Sequence, residues 1–193
     1  SSDDSLDFLR ANYPQVRIIA FDENHGFAGG NNLAIALLDT PYVVLLNSDV
    51  ELTPGWLMPL VERMESDVQV AACQPKIRWQ RHKTFFEYAG AAGGFMDRLG
   101  FPLCRGRFME ELETDEGQYD TPIECFWATG CCMMLRREIV NQIGLFDDRF
   151  FAHMEEIDYC WRAKNAGYKI VCEPSGMVYH VGGGTLPKGN PRK

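Results

Sequence analysis

The sequence has no apolar run long enough to cross a membrane and no excess of basic residues. Its apolar stretches fall far short of the roughly 18–20 residues that a spanning helix needs. Lysine and arginine number 19 against 27 aspartates and glutamates, so the formal net charge is -8. This balance argues against nucleic acid or an anionic lipid surface as a partner. An anionic ligand must therefore be held locally, by a metal ion, a helix N-terminus or a few cationic side chains.

Closely spaced cysteine pairs are also missing. None of the seven cysteines forms a CxxC pair, and Cys131 and Cys132 are direct neighbours. Other cysteines lie inside apolar segments, which is typical of reduced, packed thiols and not of a disulfide framework or a zinc site. No signal peptide or lipidation motif opens the sequence. We therefore predict a cytoplasmic location, with any association with the inner face of the membrane made through segments outside this sequence.

The glycine fingerprints of dinucleotide-binding and P-loop proteins are absent as well. The stretch DENHGFAGGNN, residues 22–32, has neither GxGxxG nor GxxxxGK[ST] spacing. Glycines allow close approach of the backbone, and the N-terminus of a following helix attracts phosphate or sugar hydroxyls. We expect a turn that feeds a helix starting at Asn31. Taken alone, a structural turn and a binding loop explain this stretch equally well.

What the sequence does contain is an alternation of strand and helix patterns. Apolar strands are predicted at residues 15–22, 42–49 and 68–77, with helices between them. The strands are apolar on both faces and rich in β-branched residues. This pattern predicts an α/β fold with a mainly parallel sheet flanked by helices.

We expect residues 1–193 to form a single domain without internal repeats. Glycines and acidic residues loosen the pattern in residues 81–120, which predicts an excursion at the sheet edge with a mobile, solvated acidic loop at 110–120. The stretch 182–193 has no periodicity and is predicted to be a flexible tail. Both ends of the sequence are expected to be truncated, because a doubly wound sheet normally opens with a strand that bears part of the ligand site.

The segment VVLLNSDVE, residues 43–51, runs from a buried strand directly into polar and acidic residues. Asp49 is expected at the carboxyl end of a central strand, where open α/β sheets bind ligands. A hard cation such as Mg²⁺ or Mn²⁺ takes oxygen ligands, often one or two carboxylates together with substrate phosphates. Asp49 is thus a candidate anchor for a cation, with Asn47 as a neutral neighbour. The alternative is that Asp49 only closes a turn.

A predicted helix near residues 155–166 begins with two acidic residues. At 100° per residue, Glu155 shares a polar face with Arg162, whereas Glu156 points toward whatever lies at the helix start. A carboxylate in the first helical turn is stabilised as the anion by the helix dipole, so it could act as a general base. The alternative is a solvent-facing helix supported by pairing of Glu155 with Arg162.

His180 follows an apolar strand and precedes a glycine run in VYHVGGG. As a neutral imidazole it could serve as a further metal ligand. An ordinary histidine at the end of a strand explains the same pattern.

Four segments, in this order, resemble the family 2 glycosyltransferases with the GT-A fold, and above all the rhamnosyltransferase-like branch of bacterial polysaccharide synthesis. They are NHGFAGGNN, LLNSDVELTPGWL, ATGCCMMLRREIVNQIGLFDDRFFAHMEEIDYCWRAKNAGYKI and HVGGG, and the resemblance covers nearly the whole sequence. It implies an inverting enzyme that moves a sugar from a nucleoside-diphosphate sugar to an acceptor hydroxyl. The acceptor would be a glycan or lipid-linked glycan in the assembly of cell-surface polysaccharide or glycolipid.

The resemblance also implies a metal site. Asp49 matches the last acid of the family's DxD-type motif, which holds Mg²⁺ or Mn²⁺ on the donor diphosphate. Asn47 stands where the motif has its first acid, so this sequence offers the ion one carboxylate fewer than the motif does. His180 lies where some relatives place a metal-contacting histidine.

Further roles follow from the same resemblance. Glu155 and Glu156 match a Glu-Asp pair whose second member usually serves as the catalytic base; Glu156 is one methylene longer than that aspartate, which leaves Glu155 as the alternative base. Residues that match the family's donor-binding loop and acceptor site are Asn24, Gly26, Gly29 and Asn32 for the donor and Trp127, Thr129 and Gly130 for the acceptor.

The family also indicates what the sequence leaves out. Its members begin with a strand, a helix and a second strand that help to hold the nucleotide, and this sequence is expected to enter just after them. The fragment would then have weakened or no activity. A second hypothesis is a non-catalytic module that binds nucleotide sugars or glycans, with Asn47 and Glu156 as signs of decay. An NAD-dependent enzyme is disfavoured, because the glycine fingerprint is missing.

Overall fold

The computed structural model describes residues 3–150 and 153–182, and within them five helices and ten strands follow one another. The helices are α1 (Ser5–Asn12), α2 (Gly26–Ala36), α3 (Leu57–Ser66), α4 (Arg137–Ile143) and α5 (Glu155–Asn165). The strands are β1 (Tyr42–Leu46), β2 (Val50–Leu52), β3 (Val70–Trp79), β4 (Gly94–Met96), β5 (Pro102–Cys104), β6 (Arg107–Phe108), β7 (Glu111–Leu112), β8 (Ile123–Cys125), β9 (Cys132–Arg136) and β10 (Lys169–His180).

The central sheet has the strand order β1-β9-β3-β10-β2, and β8 also pairs with β10. The α/β class with flanking helices is confirmed. The expected mainly parallel pairing is wrong, because among the described strands of this sheet only β3 and β10 pair in parallel. A strand that is apolar on both faces indicates that helices cover both faces of the sheet. The same pattern arises in parallel and in antiparallel strands, so it does not predict strand direction.

Helices cover the two faces of the sheet with separate apolar clusters. Side chains alternate along β9, so that Met134 packs with Leu60 and Met64 of α3. Its neighbours Met133 and Leu135 belong to the larger cluster that includes α5. Burial on both faces explains why eight successive residues of β3 are buried. The sheet is therefore a rigid platform whose strand ends can hold side chains in fixed positions.

The long strand β10 contains an irregularity near its middle. Its register against β3 shifts between Glu173, opposite Pro75, and Met177, opposite Lys76. At Gly176 in this irregularity, a Cβ atom would lie 2.5 Å from Cδ1 of Leu60, so a larger residue does not fit without movement. The strand continues beyond this point and ends at His180.

Two local predictions near the start of the chain are wrong. Residues 15–22 form no strand, and Val16 and Phe21 are exposed. A strand needs a ladder partner, and the described residues offer none here. Helix α2 begins at Gly26 and not at Asn31, because Gly26 takes a left-handed φ of 68° and its N–H donates to Oδ1 of Asn24, 2.9 Å away.

The segment expected as a sheet-edge excursion forms two small two-stranded sheets, β4 with β5 and β6 with β7. Its acidic part is attached to the central sheet through Asp115, whose side chain is buried. Nζ of Lys76 and Nε of Arg78 donate to Oδ2 of Asp115 at 2.8 and 2.6 Å. The expectation of a solvated loop is therefore wrong for Asp115, whereas mobility of the remaining loop stays a prediction. Residues 183–193 of the predicted tail lie outside the described residues.

Candidate active site

The end of β1, the start of β9 and the end of β10 meet at one edge of the central sheet. Leu46 pairs with Cys132, and the Asn47 N–H donates to the carbonyl of Cys131 at 2.9 Å. The Val181 N–H, just after β10, donates to the carbonyl of Asp49 at 3.1 Å. These backbone bonds place the turn after β1 next to the residue that ends β10, so Asp49 and His180 lie together as the resemblance implies.

His180 lies between two carboxylates. Its Nε2 is 3.2 Å from Oδ1 of Asp49, and its Nδ1 is 3.3 Å from Oε1 of Glu87. The thiol of Cys131 is a third neighbour of the ring. Burial alone would lower the pKa of His180, but Cys131 and Glu87 outweigh burial and raise that pKa to about 11. Without a cation the ring is therefore protonated at neutral pH, and a cation that binds Nε2 has to displace the proton that faces Asp49.

The geometry of Asp49 and His180 fits a shared divalent cation. Two neighbouring ligands of an octahedral ion with bonds of about 2.1 Å lie about 3 Å apart, close to the 3.2 Å found here. Among residues 3–150 and 153–182, no three His, Cys, Asp or Glu side chains are arranged so that together they could hold a metal ion. The protein would thus supply two ligands and leave the other positions to water or substrate oxygens, as is common for Mg²⁺.

Glu156 lies at the same edge of the sheet, beside Gly130. A Cβ atom at Gly130 would lie 3.8 Å from Cβ of Glu156 and 3.2 Å from Cζ of Phe27 in the first turn of α2. Gly130 directly precedes Cys131, which touches His180. Gly130 and Cys131 therefore connect Glu156, at the start of α5, with the ends of β1 and β10. Asp49 and His180 lie at these strand ends.

Both glutamates at the start of α5 are held away from water. Burial raises the pKa of Glu156 to about 7, and the charge of Glu155 adds to this increase. Burial likewise raises the pKa of Glu155, which is 4% exposed. The Oε2 atoms of both are buried and have no hydrogen-bond partner among the described residues. Buried polar atoms are normally paired, so both oxygens keep an unused capacity to accept a hydrogen bond.

The entry into α5 is strained. His153 and Met154 have φ angles of 74° and 73°, in the left-handed region that residues other than glycine rarely adopt. Such conformations cost on the order of 1–3 kcal/mol each and are concentrated at functional sites. The carbonyl of Met154 nevertheless accepts from the Asp158 N–H at 2.9 Å and so opens the helix. The strained turn fixes the direction in which Glu155 and Glu156 leave the backbone.

Arg162 anchors α5 and takes no part in the expected pairing with Glu155. Its Nε donates to Oδ2 of Asp158 at 2.8 Å, and its other nitrogens donate to carbonyls of residues 143–145. The solvent-facing alternative for Glu155 is therefore wrong, because this side chain is buried and its partner is already engaged.

The predicted donor residues surround the start of α2. Asn24 is exposed and caps Gly26. Gly29 lies inside the helix and not in a turn, close to His25. The Asn32 side chain exchanges two hydrogen bonds with the backbone of Phe146, at 2.8 and 3.1 Å, and so fixes α2 to the loop after α4. Of this set, Asn24 and Gly26 lie nearest in the chain to Phe27, which touches Gly130.

The predicted acceptor residues are largely internal. Trp127 is buried, and its Nε1 donates to the carbonyl of Phe95 at 2.9 Å. Thr129 is buried as well, and its N–H donates to Oε1 of Gln74 at 2.9 Å. Gly130 alone of the three is shown beside Glu156. Trp127 and Thr129 thus support the backbone that carries Gly130.

Glu87 is the site residue that the sequence did not reveal. It lies in residues 81–120, where the pattern is irregular, and it comes to His180 through a long-range contact. The only local signal is an acid that interrupts the stretch FFEYAG, and such an acid is ordinarily exposed.

The mixed central sheet flanked by helices has the architecture of the GT-A fold. The "Glycosyl transferase family 2" model matches residues 1–144, so the chain belongs to glycosyl transferase family 2. In accord with this, the solved structure titled "Crystal structure of GalNAc-T7 with UDP, GalNAc and Mn2+" superimposes with a TM-score of 0.67 at 13% identity, over 93% of this chain and 35% of that one. This likeness concerns the fold alone.

Several curated relatives carry glycosyltransferase names. The N-acetylglucosaminyl-diphospho-decaprenol L-rhamnosyltransferase of Mycobacterium tuberculosis is 28% identical over 87% of this chain and 59% of its own length. Agl10 of Haloferax volcanii, a low-salt glycan biosynthesis hexosyltransferase, is 26% identical over 82% of this chain and 49% of its own length. Rhamnosyltransferase WbbL of Escherichia coli is 22% identical over 81% of this chain and 61% of its own length. The chain thus spans about three fifths or less of these relatives.

Proposed function

We propose that this chain carries the catalytic core of an inverting glycosyltransferase, which moves a sugar from a nucleoside diphosphate to an acceptor hydroxyl. The observation that supports this most directly is the adjacency of Gly130 and Cys131. It brings Glu156 to the sheet edge that holds Asp49 and His180. A base and an anion-holding site on one cleft are what in-line transfer from a diphosphate requires.

Glu156 is the general base in this proposal. With a pKa of about 7 it is largely ionised at slightly alkaline pH, yet basic enough to accept a proton from a hydroxyl. Its unpaired, buried Oε2 has lone pairs available to the acceptor. Glu155 raises the pKa of Glu156 through its charge and remains the alternative base.

Asp49 and His180 would hold a divalent cation, Mg²⁺ or Mn²⁺. A bound cation supplies Lewis-acid stabilisation of the charge that develops on the departing diphosphate. Asn47, whose N–H is already bonded to Cys131, would line the donor side without a charge of its own. The start of α2, with Asn24, Gly26 and Phe27, borders the same cleft and would face the donor.

The acceptor would be a glycan or a lipid-linked glycan, as the names of the relatives suggest. A groove of about 510 Å³ runs along α5, and most of its lining is apolar. Its lining includes Met154, which directly precedes α5, and Ile157 and Trp161 on that helix. We place the apolar part of the acceptor there.

We also propose that the protein works at the cytoplasmic side of a membrane. None of the described helices is long and apolar enough to cross one.

The test is sugar transfer by the parent protein and by Glu156→Gln. A panel of nucleoside-diphosphate sugars is supplied with Mn²⁺ and a lipid-linked acceptor, and products are followed by mass spectrometry. We expect transfer by the parent and a loss of about 10²–10⁴-fold in kcat/KM in the variant. The control is Glu138→Gln, an exposed glutamate of α4, which should keep parental activity. Equal activity in both variants would remove the base assignment.

The alternative, a binding module without catalysis, gives a different result in the same experiment. It predicts that nucleotide sugars bind to the parent, measured by calorimetry, while no sugar is transferred or released by hydrolysis. The raised pKa of Glu156 favours the enzyme, because keeping an acid buried without a function lowers stability.

A further inference from the structure

Glu87 is a buried carboxylate that the proposed reaction does not use directly. It is 2% exposed, and burial of an acid lowers stability unless the carboxylate is paired. Its two oxygens have separate neighbours: Oε2 accepts from the Ala89 N–H at 2.6 Å, and Oε1 lies 3.3 Å from Nδ1 of His180. The side chain therefore connects a fixed backbone amide with the ring of His180.

Glu87 is held in place by the central sheet. Its N–H donates to the carbonyl of Ile77 in β3 at 3.1 Å, and the Ile77 N–H donates to the carbonyl of Ala91 at 2.8 Å. On the other side, a Cβ at Gly182 would come within 3.0 Å of Oε1 of Glu87. Glu87 thus has little freedom to move away from the ring.

The two nitrogens of His180 face different groups, and this decides what the ring can bind. Nε2 faces Asp49, the other proposed ligand, and Nδ1 faces Glu87. A nitrogen that binds a cation cannot carry a proton, so the remaining proton of the ring must sit on Nδ1. A carboxylate beside Nδ1 favours that tautomer and fixes the plane of the ring.

We propose that Glu87 is a positioning residue for the cation site: it keeps the His180 proton on Nδ1 and aims Nε2 at the ion shared with Asp49. This inference rests on the proposed function, which assigns the cation to Asp49 and His180. Carboxylates in this position typically strengthen metal binding by 10- to 100-fold. Glu87 would act on the ion only through His180, and its loss would leave both ligands present.

Glu87→Gln tests this role with little change of shape. Glutamine has one side-chain oxygen, whereas the glutamate has two: Oε2 accepts from the Ala89 N–H, and Oε1 lies 3.3 Å from Nδ1 of His180. If the oxygen keeps the Ala89 bond, the amide NH₂ faces Nδ1 and favours the wrong tautomer. The matched control is Glu173→Gln, which changes a similarly buried glutamate of β10 that pairs with Arg63 of α3. Glu87→Asp tests rescue by a shorter carboxylate.

The measurement is Mn²⁺ affinity by electron paramagnetic resonance, with Mn²⁺ alone and with inorganic pyrophosphate. Nitrogen-15 NMR of the His180 ring reports the tautomer, and circular dichroism reports folding. We expect Kd for Mn²⁺ to rise 10- to 100-fold in Glu87→Gln, with a change of tautomer. We expect a rise of less than twofold in Glu173→Gln and partial recovery in Glu87→Asp.

Three results would overturn the inference. Mn²⁺ affinity of Glu87→Gln within twofold of the parent would show that Glu87 does not act on the site. Equal weakening in Glu87→Gln and Glu173→Gln would indicate loss of structure alone. If the parent binds no Mn²⁺, His180 is not a cation ligand and Glu87 has no ion site to position. The proposed function is judged separately, by sugar transfer in the presence and absence of a chelator, and it survives the first two results.

Discussion

Replacing Glu156 by glutamine should stabilise the folded protein at alkaline pH while it abolishes the proposed base. The reason is the raised pKa: the carboxyl has a value of 4.5 in the unfolded chain and about 7 in the folded protein. Between these values the folded state binds the proton more tightly, so the stability that protonation supplies is present below pH 4.5 and is lost as pH rises through 7. Glutamine resembles the neutral acid at every pH.

The size of the effect follows from the same two values. At about 1.4 kcal/mol per pKa unit, the difference corresponds to about 3 kcal/mol of unfolding free energy. The main cause is burial of the carboxylate, and the nearby charge of Glu155 contributes as well. We therefore expect Glu156→Gln to be more stable than the parent by about 3 kcal/mol at pH 8.5 and by about 1 kcal/mol or less at pH 5.

Urea unfolding followed by circular dichroism at both pH values measures this difference. Glu138→Gln serves as the control for replacing an exposed glutamate, and we expect it to change stability by less than about 0.5 kcal/mol at either pH. If Glu156→Gln gains no more stability than Glu138→Gln at pH 8.5, the carboxylate is hydrated in solution. The argument that its environment tunes it as a base would then be refuted.

Four further predictions concern the same site. The value of kcat/KM for sugar transfer should rise with pH through an apparent pKa near 7, because Glu156 must be deprotonated; a profile flat from pH 5.5 to 8.5 contradicts this. Gly130→Ala should lower kcat at least tenfold with little change in fold by circular dichroism, because the new Cβ would lie 3.2 Å from Phe27, beside Glu156; parental kcat would show that this contact yields easily. Met154→Gly should raise the free energy of unfolding by about 1 kcal/mol in urea titrations, because glycine relieves the left-handed strain; destabilisation would mean that the lost side-chain contacts outweigh the strain. Trp161→Ala, which removes a ring 45% exposed in the α5 groove, should raise KM for a lipid-linked acceptor several-fold and leave donor hydrolysis unchanged; equal effects on both reactions would place the acceptor elsewhere.

Local patterns in the sequence were sufficient to predict the elements that carry the proposed chemistry. The apolar run before Asp49 predicts a strand that reaches that residue in the centre of the sheet. Strand β1 is found there, but it ends at Leu46, three residues earlier, and it lies at the end of the described strand order. The acidic start of α5 and the apolar strand before His180 are equally local signals. Each depends on a few neighbouring residues, and the resemblance to a family supplied the expectation that they meet.

Contacts between distant segments were beyond local reasoning. Strand direction in the sheet depends on which elements become neighbours, so burial on both faces of β3 predicted helices on both sides but not the antiparallel position of β9. The strand expected at residues 15–22 had suitable residues and no partner. Glu87 reaches His180 across 93 positions of the chain, and Asp115 is buried because Lys76 and Arg78 come to it from β3.

The irregularity in β10 has a consequence for the orientation of the residue that ends this strand. Residues 174–176 have no counterpart in β3, since Glu173 faces Pro75 and Met177 faces Lys76. Side chains alternate between the two faces of a strand, so an insertion of three residues reverses which face every later side chain occupies. The face on which the imidazole at position 180 lies is therefore set by the register that β10 resumes opposite Lys76.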